Sequence, residues 1–312
     1  MTAELRAELD PYLRRVPSFA GVLDHPLTIT RLAGLTNVNF LIGHRDGSSV
    51  LRIPGDGTAE YIDRVAEAAA ARSAADAGVN APLEFFDPAD GLMVTTFLEG
   101  AVTMSGPRFA DPTTGLGAVE RAAVAFRRLH ENAVPFAVDF RLFAMIDEYK
   151  ALLAGKGATL PAGYDDVQAF AESARHALES RPAARVPSHC DPLCENFLDT
   201  GERMFIIDYE YAGNNDPMWD LGDLSVEGAF TAEQDAVLLR AYFGGEPPRD
   251  QIGRMVLHKA LCDLLWTLWG VIQHVNGNTA EDFWAYATNR FERCRRLMSS
   301  PAFADHIDAV TS

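Results

Sequence analysis

The sequence has few cysteines and no long uninterrupted apolar run. Its four cysteines are too few and too irregularly spaced for a disulfide framework, so we expect reduced thiols. The longest apolar stretch near the C-terminal end, Ala260 to Val275, contains Asp263 and Gln273 and is too short to span a bilayer. The N-terminal segment MTAELRAELDPYLRR has acidic residues and helical periodicity where a signal peptide needs a basic start and an apolar run. We therefore expect a cytoplasmic protein with no membrane anchor.

Basic residues are also scarce. Lys and Arg number 27 against 44 Asp and Glu, which gives a net charge of −17. Such an acidic surface repels phosphate backbones and anionic lipid heads, which argues against a role on nucleic acid or at a membrane surface. Hydrophobic residues make up 48% of the chain, an ordinary globular share that excludes disorder as the main state. A length of 312 residues predicts two lobes or domains with a cleft between them.

The N-terminal third has the pattern of a small sheet with one helix. Three runs of β-branched and aromatic character, LTITRLA, VNFLIGHR and SSVLRIPG, predict an antiparallel meander. The segment from Ala59 to Ala77 is rich in Ala and Glu and lacks Pro and Gly, which predicts a helix ended by Gly78. The runs LEFFDP and GLMVTTFLEG then predict a hairpin whose second strand ends at Gly100.

The pattern after Gly100 is helical. Apolar stripes at helical spacing predict further helices. They span Val119 to His130, Phe143 to Leu153, Asp165 to Glu179, Glu233 to Phe243, Gln251 to Asn276 and Ala280 to Met298. One non-helical segment, Val186 to Ala212, lies between them. The expected fold class is α+β, with one domain at 1–97 and a second, mainly helical domain at 98–312.

The non-helical segment contains residues typical of phosphoryl transfer. It has His189, Asp191 and Asn196 in the spacing His-x-Asp-x-x-x-x-Asn, followed by MFIIDYEYAG with Asp208. Phosphoryl transfer needs a carboxylate beside the attacking hydroxyl and oxygen ligands that hold magnesium on the nucleotide phosphates. The spacing places Asp191 at the start of a tight loop and Asn196 at its end. The apolar strand that follows then delivers Asp208 as a second metal-binding carboxylate.

The order of these residues resembles the choline/ethanolamine kinase family, within the wider group of aminoglycoside-phosphotransferase-like small-molecule kinases. The resemblance runs from about Leu27 to about Arg296. It implies a bilobed protein-kinase-like fold, with a small antiparallel-sheet lobe that covers the nucleotide at 1–97. It also implies a larger helical lobe for catalysis and substrate binding at 98–312.

The resemblance implies a role for each residue of the loop. Asp191 would accept or orient the proton of the substrate hydroxyl. Asn196 and Asp208 would hold Mg²⁺, and His189 would brace the loop by hydrogen bonding. Farther along, Asp220 in DPMWDL would cap a helix and tie that helix to the loop.

Two other interpretations of this segment stay open. The spacing also occurs by chance, and an aspartate after an apolar strand is often a turn or helix cap. A second possibility is a metal site formed by His189, Cys190 and Cys194, although their spacing lacks a second ligand pair.

The N-terminal part contains candidates for nucleotide contacts. The segment LAGLTN, with Gly34, Thr36 and Asn37, resembles the phosphate-covering loop of choline kinases, where glycine allows close backbone approach. In the next strand, Arg52 stands where protein kinases carry lysine and can fork across phosphate oxygens. Glu67 on the following helix is its expected partner. Alternatively, Arg52 makes a surface ion pair and Glu67 is only a good helix former.

Aromatic residues near the C-terminal end indicate the substrate. Trp266 and Trp269 share a helix face in LLWTLWGVIQH, and tryptophan faces attract quaternary ammonium groups. The resemblance implies that both form a cage for a cation together with Tyr286. Glu227 and Tyr211 would also face that cation. Alternatively, tryptophans at helical spacing in an apolar run belong to the core.

The expected partners are therefore ATP, Mg²⁺ and a small cationic amino alcohol. The resemblance implies transfer of the γ-phosphoryl group of ATP to the hydroxyl of choline, which gives phosphocholine. Ethanolamine, an aminoglycoside or another amino alcohol is the alternative substrate. A catalytically inactive kinase-like protein that binds a cation is the alternative of a different class.

Overall fold

The computed structural model describes residues 3–32, 37–55 and 62–312, and it has the α+β architecture expected from the sequence. The N-terminal part contains a five-stranded antiparallel sheet. Its strands are β1 (Thr28–Leu32), β2 (Val38–His44), β3 (Gly47–Ile53), β4 (Leu83–Asp87) and β5 (Leu92–Thr96). The strand order is β1-β2-β3-β5-β4, so the predicted hairpin joins the predicted meander through pairing of β5 with β3.

Five short strands form two smaller sheets beyond the first. They are β6 (Val102–Thr103), β7 (Val186–Ser188), β8 (Phe197–Asp199), β9 (Met204–Ile206) and β10 (Gly213–Asn215). One sheet has the order β6-β8-β9, and β7 pairs with β10 in the other. The loop predicted to be catalytic connects β7 to β8, and Asp208 follows β9. The sheets therefore place both parts of the predicted motif next to each other.

Most of the remaining described chain is helical, and each helix predicted after Gly100 is present with its ends within about one turn of the predicted ones. The helices are α1 (Ala3–Leu13), α2 (Arg64–Asp76), α3 (Gly106–Phe109), α4 (Gly115–Asn132), α5 (Leu142–Gly155), α6 (Tyr164–Ser180), α7 (Pro217–Glu227), α8 (Ala232–Phe243), α9 (Arg249–Val275), α10 (Phe283–Met298) and α11 (Pro301–Thr311). The helical periodicity of the N-terminal segment is confirmed by α1, whereas no pattern predicts α11. Leu9 and Leu13 of α1 are buried in the same cluster as Phe40 and Ile42 of the sheet.

The helix predicted from Ala59 onwards begins later in the structure. Residues 56–61 lie outside the described part, and Asp63 immediately before α2 is not helical. Its carboxylate accepts two hydrogen bonds of 3.0 Å from N–H groups of the first turn, and this cap fixes the start of α2. The predicted end is confirmed, because Gly78 follows the helix with a φ of +69°.

The long helix α9 is at the centre of the helical part and packs against α5, α7, α10 and α11. A Cβ atom on Gly222 would lie 2.9 Å from the backbone oxygen of Met255, so only glycine lets α7 approach α9 this closely. α9 is long and apolar enough to cross a membrane, but 83% of its most apolar 18-residue stretch is buried inside the protein. It is therefore the core helix. The four cysteines are buried and unpaired, as expected.

Candidate active site

Asp220 fixes the loop that starts at His189. Its buried carboxylate accepts hydrogen bonds from the backbone N–H groups of His189 and Cys190, both at 2.8 Å. Cys190 has a φ of +69°, in the left-handed region that residues with a side chain rarely adopt, and these bonds hold it there. The predicted link between Asp220 and the loop is thus confirmed. The predicted cap is wrong, because Asp216 precedes α7 and accepts from the N–H of Met218 at 3.0 Å, whereas Asp220 lies inside the helix.

The imidazole of His189 contacts the segment that leads to Asp208. Its Nε2–H donates to the backbone oxygen of Ile207 at 2.9 Å, and the ring of Tyr209 packs edge-on with 4.9 Å between centroids. Burial lowers the pKa of His189, which favours the neutral ring. His189 therefore lies where the predicted bracing role requires it.

Asp191 is half-buried at the start of the loop. Burial, followed by the negative charges of Glu227 and Asp208, raises the pKa of Asp191 to about 8, against the opposing charge of Arg290. A carboxyl group with this pKa exchanges a proton near neutral pH, as general acid–base catalysis requires. At the other end of the loop, Asn196 donates its Nδ2 to the backbone oxygen of Asp191 at 3.2 Å. The loop is thus closed on itself.

Two buried arginines bind three carboxylates where the sheet meets the helical part. Arg52 on β3 forms an ion pair with Glu67 on α2, as predicted, and its Nη1 lies 3.3 Å from Oδ1 of Asp208. Arg64 donates to Glu67 at 2.6 Å and to Glu210 at 3.0 Å. This arginine–carboxylate network, formed by these five residues, ties α2 to the segment after β9.

Arg64 and Glu210 were not among the sequence-based candidates. Glu210 lies two residues after Asp208, so its place beside a predicted metal ligand was a usable signal. Arg64 precedes the candidate Glu67 by three residues, a spacing that brings side chains together on one helix face, so this spacing was also a usable signal. The contact of Arg64 with Glu210, which is 146 residues away in the chain, had no such signal. Only the fold brings the two side chains together.

Of the predicted phosphate-covering loop, Gly34 and Thr36 lie outside the described residues. Asn37 is buried, and its Nδ2 donates to Oε1 of Glu210 at 2.8 Å. Its Oδ1 accepts a hydrogen bond of 3.4 Å from the N–H of Gly55. Asn37 therefore attaches the end of this loop to the arginine–carboxylate network.

The carboxylates of Glu67, Asp208 and Glu210 come close enough together to share a metal ion, although Glu67 and Glu210 already pair with Arg64. One oxygen from each lies within 4.8 Å of the other two, and Mg²⁺ prefers oxygen ligands. The side chain of Asp208 is 33% exposed, so it is the member most open to the cleft. Burial and then the charge of Glu210 raise the pKa of Asp208 to about 7, and a bound cation would favour its ionised form. The N–H of Ile207 donates to the backbone oxygen of Asn196 at 2.9 Å, which holds Asn196 beside this set.

The alternative metal site of His189, Cys190 and Cys194 is not formed. Among the described residues, the groups of metal-ligand atoms that lie within 4.8 Å of one another do not include these three. Burial raises the pKa of the Cys190 thiol and raises that of Cys194 to about 12, so both stay protonated.

Four aromatic side chains predicted to face the substrate form a continuous wall. Tyr211 meets Trp266 edge-on with 6.1 Å between centroids, and Trp266 meets Trp269 at 6.0 Å. Trp269 in turn meets Tyr286 of α10 at 5.8 Å. Trp266 is only 6% exposed, whereas the other three rings are partly exposed. Trp266 thus supports the wall from the core, and the other rings present surface to a ligand.

Glu227, the predicted acid of the substrate pocket, is already paired with a cation of the protein. Arg290 on α10 donates its Nη2 to Oε1 of Glu227 at 2.5 Å. Its guanidinium carbon lies 4.7 Å from the ring centre of Tyr286, one turn earlier in the same helix. Arg290 was not a sequence-based candidate, although its spacing of four residues from Tyr286 was a usable signal.

Comparison with known proteins agrees with this geometry. The sequence model of the phosphotransferase enzyme family matches residues 28–252. The crystal structure of a choline/ethanolamine kinase family protein from Mesorhizobium loti is 52% identical, with a TM-score of 0.88, and the match covers 98% of each chain. The chain belongs to the choline/ethanolamine kinase family. The expected enzyme class and the kinase-like fold are therefore confirmed.

This choline/ethanolamine kinase family member is also similar to LicA proteins. Choline kinase LicA from Streptococcus pneumoniae is 26% identical, with a TM-score of 0.74, over 94% of this chain and 99% of the other. A structure of LicA in complex with AMP, also 26% identical, has a TM-score of 0.70 over 95% of this chain and 98% of the other. Protein LicA of Haemophilus influenzae is 27% identical over 88% of this chain and 80% of its own length.

Proposed function

We propose that this phosphotransferase transfers the γ-phosphoryl group of ATP to the hydroxyl of choline and releases phosphocholine and ADP. The observation that carries the proposal is the aromatic wall beside the Glu227–Arg290 pair. Ring faces attract a quaternary ammonium group through their quadrupole, and desolvation strengthens this attraction. The similarity to a choline kinase and to an AMP complex supports the same substrate and donor.

In the proposed reaction, the choline hydroxyl oxygen attacks the γ-phosphorus while the bond to the β-phosphate oxygen breaks. The carboxylate of Asp191 accepts the hydroxyl proton. Asp208 and Asn196 would hold Mg²⁺, which when bound neutralises charge on the phosphates. Arg52 contributes a fixed positive charge on the same side, and its pairing with Glu67 keeps the guanidinium in place.

The pairing of Glu227 supports choline over ethanolamine. A primary ammonium group needs hydrogen-bond acceptors, whereas a trimethylammonium group has no N–H to donate and is stabilised by ring faces. Because Arg290 already uses an oxygen of Glu227 at 2.5 Å, this carboxylate is a poorer acceptor for a primary ammonium. The partly exposed rings of Trp269 and Tyr286 remain suited to methyl groups.

Ethanolamine is the second candidate, and one observation favours it. The buried carboxyl group of Asp223 has an oxygen, Oδ2, without a hydrogen-bond partner among the described residues. One carboxylate oxygen of Asp223 lies within 4.8 Å of one from Glu227. A primary ammonium group that reached this pair would find an acceptor that choline cannot use.

A substrate panel tests the proposal. Purified protein with ATP and Mg²⁺ should release ADP on addition of choline, with a kcat/KM roughly tenfold above that for ethanolamine. A higher value for ethanolamine or for an aminoglycoside would replace choline as the substrate. No ADP release with any of them would indicate an inactive cation-binding protein.

The role of Asp191 has its own test within the same assay. We expect Asp191→Asn to lower kcat by roughly 10²–10⁴-fold while nucleotide still binds. Glu195→Gln is the matched control, because Glu195 lies in the same loop and is exposed. Retained turnover in Asp191→Asn would remove this residue from the role of base.

A further inference from the structure

A cavity of about 350 Å³ lies outside the candidate active site. Its walls come from the turn after α2, from α4 and from the hairpin between β8 and β9. The N–H of Ile206 donates to the backbone oxygen of Val79 at 3.0 Å and fixes two of these walls to each other. In the part of the chain that the structure describes, its lining contains no residue that we place in phosphoryl transfer or in the aromatic wall.

Three arginines line this cavity, which is unexpected in a chain with a net charge of −17. Arg121 is already satisfied, since it forms a two-pronged ion pair with Asp199. Arg128 and Arg203 differ, because no carboxylate of the described residues lies within 4.0 Å of either guanidinium group. The Nη2 atom of Arg203 is buried and has no hydrogen-bond partner in the described part of the chain.

The two unpaired guanidinium groups approach the same point. A Cβ atom on Gly78 would lie 2.9 Å from Nη2 of Arg203 and 3.9 Å from Nη1 of Arg128. The guanidinium carbon of Arg203 is also 4.5 Å from the ring centre of Phe205, which holds the side chain in this position. Burial and then the charge of Arg128 lower the pKa of Arg203, as expected for neighbouring cations without a counter-ion.

We propose that this cavity binds a small phosphate-bearing molecule through Arg128 and Arg203. A buried donor without a partner is costly, and a phosphate oxygen is the acceptor that two adjacent guanidinium groups fit best. The volume exceeds that of a single small ion, and Val79, Val124 and Met204 supply an apolar wall for an organic remainder.

The other charged residues of the cavity restrict the ligand further. Glu120 and Glu202 also line it, so a molecule with negative charge at both ends would be repelled. The ligand class is therefore a phosphomonoester with a neutral or cationic remainder. This inference does not depend on which alcohol the active site phosphorylates.

Thermal unfolding of the full chain in increasing inorganic phosphate, with ionic strength held constant by NaCl, tests the site. We expect a saturable rise in Tm. Arg203→Met should weaken the apparent affinity for phosphate by roughly tenfold or more. In phosphate-free buffer the same variant should unfold at the same or a higher temperature than the parent, because it removes a buried donor atom, Nη2, that has no partner among the described residues. Arg240→Met, an exposed arginine outside the cavity, should leave both values unchanged.

The Arg52→Met variant distinguishes phosphate binding in this cavity from phosphate binding in the candidate active site, where Arg52 offers another positive charge. A saturable rise that persists in Arg52→Met and disappears in Arg203→Met supports the cavity. A rise that disappears in Arg52→Met and persists in Arg203→Met overturns the proposal, as does a rise without saturation. If Arg203→Met does not fold, Arg128→Met gives the same comparison at an exposed side chain.

Discussion

Arg290 donates its Nη2 to Oε1 of Glu227 at 2.5 Å and lies over the ring of Tyr286. The carboxylate that the sequence indicates for the substrate cation is therefore already paired with an arginine of the protein itself. Its pairing leaves the rings of Trp269 and Tyr286 as the main attractive surface for a substrate cation. The charge balance of the substrate pocket is therefore set within the protein before a ligand arrives.

Glu227→Gln removes the nearer of the two carboxylates that pair with the buried Arg290. We expect the free energy of unfolding to fall by about 2 kcal/mol, because Arg290 then keeps only Asp263, whose Oδ1 lies 3.4 Å from its Nη1. The positive charge that is no longer neutralised should also repel the substrate and raise the KM for choline roughly tenfold. The KM for ATP should stay near its original value, since Glu227 does not belong to the arginine–carboxylate network. Steady-state kinetics and chemical unfolding measure these effects.

The double variant Glu227→Gln/Arg290→Met is the control for charge. It should recover most of the lost stability, because neither partner of the pair then remains buried alone. Glu233→Gln, an exposed acid on α8, should have no effect on either constant. A loss of stability in Glu227→Gln with an unchanged choline KM would show that the pair is only structural.

Trp269→Ala should affect the cation and not the nucleotide. Trp269 is partly exposed and meets Trp266 and Tyr286 edge-on, so its loss opens the centre of the aromatic wall. We expect the KM for choline to rise roughly 3–30-fold, with the KM for ATP unchanged. Trp284→Ala is the matched control, because Trp284 packs beside His274 instead, with 5.4 Å between ring centroids. Equal changes in both KM values for Trp269→Ala would indicate a core residue.

Local patterns of the sequence predicted most of the fold. Runs of β-branched and aromatic residues bounded by turn signals predicted the strands of the five-stranded sheet, and apolar stripes predicted the longer helices. The predicted start of α2 was wrong. Asp63 caps the helix, and this cap outweighs the favourable helix propensity of the residues before it. The short helix α11 was missed because it depends on packing against α6 and α9 for its stability.

The site was predictable where its chemistry is local. His189, Asp191 and Asn196 share one loop, so their spacing was visible in the sequence. Arg64 and Arg290 were missed, although each has a partner about one turn away on its own helix. Their other carboxylate partners are distant in the chain. Glu227 lies 63 residues from Arg290, and only the packing of α7 and α10 around α9 joins them.

Asp220→Asn should disorder the loop that carries Asp191. The carboxylate of Asp220 accepts from the N–H groups of His189 and Cys190 and lies 3.0 Å from Nε2 of His130. An amide places an N–H group against these donors, so we expect a loss of about 2–3 kcal/mol in stability. We also expect kcat to fall roughly 100-fold, because a small displacement of the base is costly.

Amide hydrogen exchange distinguishes this positioning role from a general loss of stability. The N–H groups of His189 and Cys190 should exchange faster in Asp220→Asn, while those of α6 stay protected. Asp165→Asn, at an exposed position of α6, should change neither kcat nor exchange in the loop. Protection of both loop amides in Asp220→Asn would contradict the assignment.

The lowered pKa of Asp216 predicts how the free energy of unfolding depends on pH. Burial alone would raise the pKa of Asp216, but His258, the N–H of Met218 and Arg254 outweigh burial and hold it well below its usual range. Its stabilising effect is therefore complete above the pKa of a free aspartate, about 4, and is lost as pH falls through the lower folded value. Arg254, whose Nη1 lies 2.7 Å from Oδ2, is 5% exposed and depends on this partner.

Asp216→Asn should accordingly lower the free energy of unfolding by about 3 kcal/mol at pH 7. The difference from the parent should be constant above about pH 5 and should shrink below about pH 4, because the unfolded parent then binds a proton at Asp216 that the folded protein does not yet bind. Asp282→Asn, which changes the exposed cap of α10, should show a small difference at every pH. Urea unfolding at a series of pH values from about 3 to about 8 measures this difference. A gap between Asp216→Asn and the parent that widens in acid would mean that Asp216 is protonated in the folded protein, contrary to its pairing with Arg254.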